Sequence, residues 1–476
     1  MIYFIRKKSN RKESNKMAFW GRTKEQKKIQ DMLLKKAQDV TLIYGRRRVG
    51  KSELIKECLR NSSIKSVYYE CKQTTEMNNA ESLASLISEV FALPPLAFKN
   101  IEAVLDFFFK QALHMPLILV LDEYPYLRDA VKGMDSILQA LIDKYQDESQ
   151  LKLIICGSYV DTMRSLLLVQ NPLYGRVSLT IDLKPMNYRE SALFYSSFSD
   201  ADKVRLYSVF GGIPYYNRLI DSEKSVKENI IDLIASPSAR LETEISMYLK
   251  SELAKISNAN EVFETLAKGF SRYSDIFAQS HISSGPTLID VLERLMKMEV
   301  VSKTAPINDE NNKKKAGYYI SDNLSLFYYK YVFRYMSQLQ VMQPEIFYER
   351  YIAQDFESDH VPHIFEDICR QYLIEQNQKG LLAEPFEKIG RYYYDDPVTK
   401  TNGEFDIVTQ DAKGYVFYEA KFRKQPVTQK MLEEEIAQVQ RTKMPCYKYG
   451  FFSRSGFEDI KLEHVELIGL GELYKG

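Results

Sequence analysis

The chain has 476 residues, a length that suggests about three domains at roughly 150 residues each. Its hydrophobic share of 45% is ordinary for a folded soluble protein and sufficient to bury hydrophobic cores. Lys and Arg number 65 against 64 Asp and Glu, so the net charge of +1 excludes a partner selected by whole-chain electrostatics. Any nucleic-acid surface must therefore be a local patch.

The cysteines and apolar runs indicate the compartment. Five cysteines are scattered without a C-x-x-C motif or metal-ligand spacing, which predicts reduced core residues in a cytosolic protein. The apolar run at residues 2–5 is too short for a signal peptide, and the longest one, Leu117 to Leu121, is far short of a membrane span. We therefore expect a cytoplasmic protein with no membrane partner.

Residues 1–16 form a basic N-terminal arm, with six Lys or Arg side chains and one acid, Glu13. A solvent-exposed arm and a nucleic-acid-binding tail both fit this composition. Met17 is an alternative start, because Phe19 to Arg22 begins an ordered-looking segment.

A phosphate-binding loop, G-x-x-x-x-G-K-S, occupies residues 45–52. A β-prone segment at 40–44 precedes it and a helical segment at 53–59 follows, so backbone N–H groups and a helix N-terminus are expected to face a polyphosphate. Lys51 would reach the β- and γ-phosphates and Ser52 would ligate Mg²⁺. The alternative is a chance loop of small and basic residues. The predicted nucleotide-binding residues of this segment are Gly45, Arg46, Arg47, Arg48, Val49, Gly50, Lys51, Ser52 and Glu53.

Two further apolar runs predict strands that end in polar residues. Residues 116–121 are followed by Asp122, expected to hold Mg²⁺ through water, and Glu123, expected to polarise the attacking water. The alternative is that both carboxylates are merely solvated. Residues 151–156 lead to Ser158, which could sense the γ-phosphate. Strands alternating with helices predict a doubly wound parallel sheet that binds ATP at the carboxyl ends of its strands.

Four short motifs resemble those of the archaeal and bacterial ATPases of the AAA+/STAND branch of P-loop proteins, over roughly residues 17–340. They are Phe19-Trp20-Gly21-Arg22, Leu121-Asp122-Glu123, Gly157-Ser158 with Pro172 to Arg176, and Phe210-Gly211-Gly212-Ile213-Pro214. The resemblance implies that Gly21 and Arg22 pack near the adenine, that Arg176 contacts a phosphate and that Pro214 belongs to a helical lid. For Arg176 the alternative is an ordinary surface residue.

The resemblance also divides the middle of the chain. We expect a P-loop core at 17–182, a helical lid at 183–240 and a winged helix at 241–340, the last from three helical segments and a β-hairpin. In a nucleic-acid interpretation, Ser283, Ser284 and Thr287 open the recognition helix and Lys313, Lys314 and Lys315 touch phosphates. The alternative is a winged helix used only for packing.

Residues 341–476 carry a second set of acidic residues. Glu366 lies in an amphipathic helix, Asp406 in a strand, and Glu419 and Lys421 in another strand, where alternation places both on one face. Two carboxylates on neighbouring strands predict a divalent-metal site, with Lys421 orienting or deprotonating water.

This element order resembles the resolvase-like layout of the PD-(D/E)xK nuclease superfamily, as expected for a C-terminal domain of the DUF234 type. The chain departs from the motif at Phe405, where a proline would precede Asp406. The implied fold is an α/β P-loop NTPase with a helical lid, a winged helix and a restriction-endonuclease-like domain. The implied function is an ATPase switch acting on DNA or RNA through a Mg²⁺-dependent nuclease-like domain. For the C-terminal domain the alternatives left open are an ordinary α/β domain with acidic strand ends and a degenerate nuclease fold. In the second case the protein is an ATP-controlled signalling or scaffold protein. Self-association into a homo-oligomer is left open in every case.

Overall fold

The computed structural model describes residues 19–244, 258–312, 314–396, 398 and 400–475. The predicted basic arm at 1–16 and Lys313 of the predicted wing lie outside the described residues. The chain divides into two compact units. The N-terminal unit comprises Met1–Met186 and Ile213–Tyr215, and the C-terminal unit comprises Asn187–Gly212 and Tyr216–Gly476.

The N-terminal unit is built on a five-stranded parallel sheet of order β2-β3-β4-β1-β5. Its central strands are buried along their whole length, as expected for a parallel sheet covered on both faces. This sheet confirms the predicted P-loop architecture. The strands are β1 (Asp39–Tyr44), β2 (Lys65–Glu70), β3 (Leu117–Asp122), β4 (Leu151–Gly157) and β5 (Leu179–Asp182).

Seven helices accompany this sheet in the described part of the N-terminal unit. Two of them begin at side-chain caps, where Thr75 and Asn100 accept a hydrogen bond from a first-turn N–H group. Their apolar faces and the strands form one large hydrophobic core. The helices are α1 (Thr23–Leu34), α2 (Lys51–Arg60), α3 (Glu76–Phe91), α4 (Ile101–Gln111), α5 (Tyr124–Ala130), α6 (Met134–Tyr145) and α7 (Val160–Ser165).

The C-terminal unit begins with short helices and then forms three helices followed by an antiparallel hairpin, the arrangement expected of a winged helix. The first group is α8 (Tyr188–Ala192), α9 (Asp200–Phe210), α10 (Pro214–Asn217), whose first two residues belong to the N-terminal unit, and α11 (Val226–Leu233). The second group is α12 (Ala259–Ala267), α13 (Tyr273–Gln279), α14 (Gly285–Lys297), β6 (Val301–Thr304) and β7 (Gly317–Ile320).

A helical region joins the hairpin to the last part of the chain. It comprises α15 (Asn323–Tyr331), α16 (Met336–Val341), α17 (Pro344–Tyr351), a π-helical turn at Phe356–His360 and the long α18 (Val361–Gln378). Helix α9, which lies in the segment predicted as a lid, packs against α15 and α18. Arg205 of α9 donates hydrogen bonds of 2.6 and 3.0 Å to the two carboxylate oxygens of Glu357, and the ring of His360 hydrogen-bonds to the Ser208 carbonyl at 3.0 Å. Helix α9 is thus fixed to the π-helical turn that leads into α18.

The last part of the chain is a mixed five-stranded sheet of order β12-β11-β10-β9-β8. Strands β8 to β10 pair antiparallel, whereas β10 to β12 pair parallel because the chain crosses over through α19 between β10 and β11. This sheet confirms the predicted C-terminal α/β domain. The elements are β8 (Lys388–Asp396), β9 (Thr401–Asp411), β10 (Gly414–Lys421), α19 (Gln429–Arg441), β11 (Cys446–Ser453), β12 (Val465–Gly469) and α20 (Leu470–Tyr474).

The state and burial of the cysteines agree with the prediction made from the sequence. All five cysteines are free thiols, and four of them are buried, as predicted for core residues. Among the helices that the structure describes, none combines the length and the apolar character needed to cross a bilayer.

Candidate functional site

The phosphate-binding loop joins the end of β1 to the start of α2. Gly45 has a φ of 156°, and a Cβ at this position would overlap the carbonyl oxygen of Leu183. Gly50 precedes the helix with a φ of 97°, in the left-handed region that favours glycine, and its added Cβ would lie 3.7 Å from the Pro214 ring. Both glycines of the motif are therefore required by the backbone path, and Pro214 lies beside the loop.

Lys51 is buried and its ammonium group is directed into the loop. The Nζ atom donates hydrogen bonds of 2.9 Å to the Gly45 carbonyl and 3.1 Å to the Arg46 carbonyl. Arg47 and Glu53 instead have exposed side chains, and Glu53 forms long ion pairs of 3.8 and 3.9 Å with Lys56 and Arg60. The Lys51 ammonium thus lies within the loop, where the prediction places the contact with a polyphosphate. Of the predicted nucleotide-binding residues, Arg47 and Glu53 instead point their side chains into solvent.

Asp122, at the end of β3, connects three elements of the N-terminal unit. Its Oδ2 atom accepts a 2.7 Å hydrogen bond from the Ser52 hydroxyl and a second one from the Tyr68 hydroxyl, while Oδ1 accepts from the backbone N–H of Glu123 at 3.0 Å. Burial and the nearby Asp122 charge raise the pKa of Tyr68, so this hydroxyl stays protonated and remains a donor. A buried carboxylate and a hydroxyl in contact are suitable oxygen donors for Mg²⁺.

Sequence reasoning missed Tyr68. It lies on β2, whose side chains alternate between the buried Val67 and Tyr69 and the half-buried Tyr68. The pairing of β2 with β3 aligns Tyr68 with Val120, two residues before Asp122. The alternation was visible in the sequence, but the strand order that brings β2 next to β3 was not.

Glu123 and Ser158 are brought together as predicted for neighbouring strand ends. Glu123 has a φ of 50°, which turns the chain sharply from β3 into α5. Its carboxylate accepts a hydrogen bond from the Ser158 hydroxyl and a 3.3 Å bond from the Ser158 backbone N–H. Ser158, at the end of β4, therefore holds the side chain that was predicted to activate water.

The residues expected near the adenine also lie against the loop. Gly21 and Arg22 have φ values of 69° and 59°, a left-handed turn that leads into α1. The buried Arg22 guanidinium donates a 3.2 Å hydrogen bond to the Val49 carbonyl. On the other side, the Arg48 guanidinium lies 4.0 Å above the Tyr215 ring. Tyr215, which immediately follows Pro214, thus packs against one of the predicted nucleotide-binding residues.

Arg176 is not brought to the phosphate-binding loop. Its guanidinium forms a two-point ion pair with Asp143, at 2.7 and 2.8 Å, near the end of α6. Two residues later, Ser178 donates its N–H to the Val40 carbonyl at the start of β1. Arg176 therefore lies near the amino ends of the strands, away from the loop of the same chain, and its contact with a phosphate stays a prediction.

In the C-terminal unit, Asp406 and Glu419 occupy adjacent positions of neighbouring strands. The antiparallel pairing of β9 and β10 ends at Ile407 and Tyr418, so Asp406 and Glu419 are the next residues beyond the last pair. Lys421 lies on the same face as Glu419, and its Nζ donates a 2.7 Å hydrogen bond to Glu419 Oε1. The predicted alternation on β10 thus produces a direct contact.

Glu435 was missed and completes this cluster. Lys421 Nζ donates a second hydrogen bond, of 2.8 Å, to Glu435 Oε1 on α19. Glu435 lies three residues after the buried Leu432 and four before the buried Val439, on the side of the helix that faces the sheet. The helical spacing was visible in the sequence, whereas its contact with β10 depends on the packing of α19.

Electrostatics links Glu366 of α18 to the same cluster. Burial raises the pKa of Glu366 to about 9, and the charge of Asp406 adds to the effect. Burial also raises the pKa of Glu419 to about 7, although the Lys421 ammonium opposes the increase. Close carboxylates that hold protons near neutral pH indicate a site that a cation would stabilise.

Comparison with known proteins assigns the two ends of the chain. Residues 19–219 match a family described as an ATPase domain predominantly from Archaea, and residues 328–438 match a family of archaeal and bacterial proteins of unknown function, DUF234. Residues 19–219 are thus similar to an ATPase domain. An uncharacterised protein of Methanocaldococcus jannaschii is 26% identical over 413 residues, which cover 85% of this chain and 88% of that protein.

Solved structures similar to the chain include two from archaea. The Walker-type ATPase of Pyrococcus abyssi is 21% identical with a TM-score of 0.49, covering 65% of this chain and 96% of that one. The ORC2 protein of Aeropyrum pernix is 14% identical with a TM-score of 0.45, covering 65% of this chain and 91% of that one.

The hairpin that follows α12–α14 packs on β8, the edge strand of the C-terminal sheet. Ile307 donates its N–H to the Arg391 carbonyl at 2.8 Å, and Asn308 exchanges two hydrogen bonds of 2.7 and 3.0 Å with the Tyr393 backbone. The Lys315 ammonium forms a 2.9 Å ion pair with Asp309 and lies 3.7 Å from the centre of the Tyr393 ring. These contacts cover the exposed edge of β8 and favour the packing role of the hairpin.

The start of the predicted recognition helix is likewise engaged within the chain. Ser284 caps α14 by accepting a 3.3 Å hydrogen bond from the Thr287 N–H, and the two hydroxyls are 2.8 Å apart. Ser283 is exposed. The polar residues at this helix start therefore have a structural use that needs no nucleic acid.

The carboxylates around Asp406 and Glu419 are oxygen donors of the kind found in metal sites, but both are already paired with cations of the protein. Within the described ranges, no group of three or more His, Cys, Asp or Glu side chains is spaced to hold a metal ion. Instead, Glu419 is paired with Lys421, and Asp406 lies 3.4 Å from Arg391. Carboxylate oxygens suit Mg²⁺, so the residues fit the ion by type, and binding would require these ion pairs to rearrange.

Proposed function

We propose that this protein couples ATP hydrolysis in the ATPase domain to metal-dependent cleavage of nucleic acid by its C-terminal domain. The observation that carries the second half is the cluster in which Lys421 bridges Glu419 and Glu435 beside Asp406 and Glu366. Two carboxylates and a lysine on two neighbouring interior strands are the groups that a metal-assisted phosphodiester hydrolysis uses.

In the ATPase domain, the loop N–H groups and Lys51 would hold the β- and γ-phosphates. Ser52 and Asp122 would hold Mg²⁺, which neutralises developing charge on the phosphates. Glu123 would accept a proton from the attacking water. Because Ser158 now holds Glu123, this step requires the Ser158 hydroxyl to turn to another acceptor, for which a γ-phosphate oxygen is suited.

In the C-terminal domain, Asp406 and Glu419 would hold the divalent ion, which stabilises charge on the phosphate that is attacked. Lys421 would orient the water, and Glu435 would keep the Lys421 ammonium in place. Glu366 would complete the carboxylate set once it loses its proton.

A second candidate, an ATP-controlled scaffold with an inactive nuclease fold, is favoured by one observation. Both Asp406 and Glu419 are paired with cations of the protein itself, and the described residues contain no three-ligand metal group. Such internal pairs are the expected state of a fold that no longer binds a metal.

The deciding experiment measures nicking of supercoiled, linear and branched DNA and of RNA by the full chain in Mg²⁺ and Mn²⁺, with and without ATP. We expect cleavage that Asp406→Asn removes and that the exposed control Asp459→Asn keeps, with the ATPase rate unchanged in both. If no substrate is cut and calorimetry detects no metal at this site, the scaffold function replaces the nuclease function.

A further inference from the structure

A cavity of about 720 Å³ lies in the C-terminal unit, outside both sites described above. Its walls come from the end of α12, from α15, from the end of α17 and from the start of α18. The volume is within the range of about 300–1,000 Å³ that is usual for small-ligand sites. The cavity is therefore large enough for one nucleotide.

Stacked aromatic rings line this cavity. Tyr335 and Tyr351 stack with ring centres 4.2 Å apart and planes inclined by 28°. The guanidinium groups of Arg334 and Arg350 each lie 5.8 Å from the ring of the adjacent tyrosine. A planar, polarizable ligand can stack on such rings, and an anionic group can bind the exposed arginines.

The charge of the lining is positive overall. It contains four cations, Lys268, Lys330, Arg334 and Arg350, and two carboxylates, Asp355 and Asp359. Lys330 is paired with both carboxylates, at 3.4 Å from Asp355 and closer to Asp359. Lys268 and Arg334 both form ion pairs with Glu264, a residue outside the cavity lining, at 3.1 and 3.5 Å. The chemistry therefore suits an aromatic anion.

The cavity is next to the C-terminal carboxylate cluster. His363 lines the cavity, and its Nδ1 atom lies 3.8 Å from Glu366 Oε2, one turn further along α18. The cavity lining and the carboxylate cluster therefore meet at neighbouring positions of α18, about one helical turn or 5 Å apart along its axis.

We propose that this cavity binds an unpaired base and its phosphate in a single nucleic-acid strand whose backbone continues to Glu366, Asp406 and Glu419. The inference rests on the proposed function and adds the substrate class. A base within a duplex is already stacked and paired, so only an unpaired one can stack on Tyr335. Arg334 and Arg350 provide planar guanidinium groups that bind phosphate at two points.

The test measures binding of a short fluorescent single strand, as DNA and as RNA, to the full chain in EDTA, which prevents cleavage. We expect the double variant Arg334→Ala/Arg350→Ala to weaken binding at least tenfold, and Tyr335→Ala at least fivefold. The matched control is Lys379→Ala, an exposed cation at the far end of α18 whose loss should change binding less than twofold. The loss of each arginine that contacts a phosphate should also make the slope of log K against log salt shallower by about 0.7.

The outcomes separate the cavity from the proposed function. If the wild-type chain binds strands and the cavity variants bind equally well with the same salt slope, the cavity proposal is overturned and the nuclease function stands. If the wild-type chain binds no single strand, the cavity proposal fails, and the cleavage assay on duplex and branched DNA decides the nuclease function separately. Because a free nucleotide offers the same base and phosphate, a second arm uses fluorescent AMP with Lys51→Ala protein. If the arginine substitutions weaken AMP binding and leave strand binding unchanged, the ligand of the cavity is a free nucleotide and not a strand.

Discussion

The Ser52 hydroxyl donates a 2.7 Å hydrogen bond to Asp122 across 70 residues of sequence. This contact joins the first turn of α2 to the end of β3, the two places from which Mg²⁺ ligands are expected in a P-loop site. Because this bond holds the two side chains side by side, we expect Mg²⁺ to be bound by the Ser52 hydroxyl and, through water, by Asp122 with little movement of either side chain.

Lys51→Ala should abolish productive ATP binding, because it removes a charge-assisted contact with the phosphates worth roughly 1.5–3 kcal/mol or more. Arg60→Ala, at the last turn of the same helix, is the control and should bind normally. Titration of a fluorescent ATP analogue measures both. Unchanged affinity in Lys51→Ala would refute the role of the loop.

Tyr68→Phe should raise the Mg²⁺ concentration that gives half-maximal ATPase activity several-fold, because Asp122 loses a hydrogen bond that orients its carboxylate. Nucleotide affinity without Mg²⁺ should stay the same. Tyr174→Phe, in an exposed turn, serves as the control. A Mg²⁺ dependence identical to that of the wild type would restrict Tyr68 to a packing role.

Glu123→Gln should preserve ATP binding and slow hydrolysis by about 10²-fold or more, because the amide cannot accept the proton of the attacking water. The shape of the side chain and its contact with Ser158 are retained, so the nucleotide should be trapped as ATP. Single-turnover hydrolysis with labelled ATP measures the chemical step. Normal turnover would transfer the role of base to another residue.

Glu435→Gln should reduce nucleic-acid cleavage more than tenfold while the ATPase rate is unaffected. The neutral amide attracts the Lys421 ammonium less than the carboxylate does, so the lysine loses one of its two ionic partners. Glu433→Gln, on the exposed face of the same helix, is the matched control. Equal cleavage by both variants would exclude Glu435 from positioning Lys421.

The raised carboxyl pKa values predict how stability varies with pH. In the folded protein the pKa of Glu419 is about 7 and that of Glu366 about 9, above the ordinary value of 4.5, so the folded state holds more protons between these values. Their contribution to stability is complete below pH 4.5 and is lost as pH rises toward 7 and then 9. Thermal unfolding should show this decline, Glu366→Gln should flatten it, and Mg²⁺ should oppose it at pH 8. A melting temperature that rises over this range in the wild type would contradict the assignment.

The sequence predicts best what is local. The loop 45–52 is a contiguous motif, and the convergence of Ser52, Asp122 and Ser158 follows from one rule, that parallel strands end at the same edge. Likewise, Glu419 and Lys421 share a face because strand side chains alternate. The catalytic and metal roles of these residues remain predictions.

What the sequence could not provide is pairing between distant segments. Tyr68 reaches Asp122 only because β2 is the neighbour of β3, and Glu435 reaches Lys421 only through the packing of α19. The position of Arg176 near the amino ends of the strands was not predictable for the same reason, since a turn motif does not specify the end of the sheet at which it lies. The contact of the hairpin with β8 depends on hydrogen bonds between the Asn308 side chain and the Tyr393 backbone, 85 residues apart, that no local pattern marks.

The attachment of α9 gives two distant segments of the C-terminal unit a shared local stability. Arg205 of α9 is bonded to Glu357, and the Ser208 carbonyl is bonded to His360, so α9 and the turn at 356–360 hold each other in place. Opening either segment breaks both contacts. Amide hydrogen exchange should therefore change in α9 and in this turn together, and independent responses would contradict the shared stability.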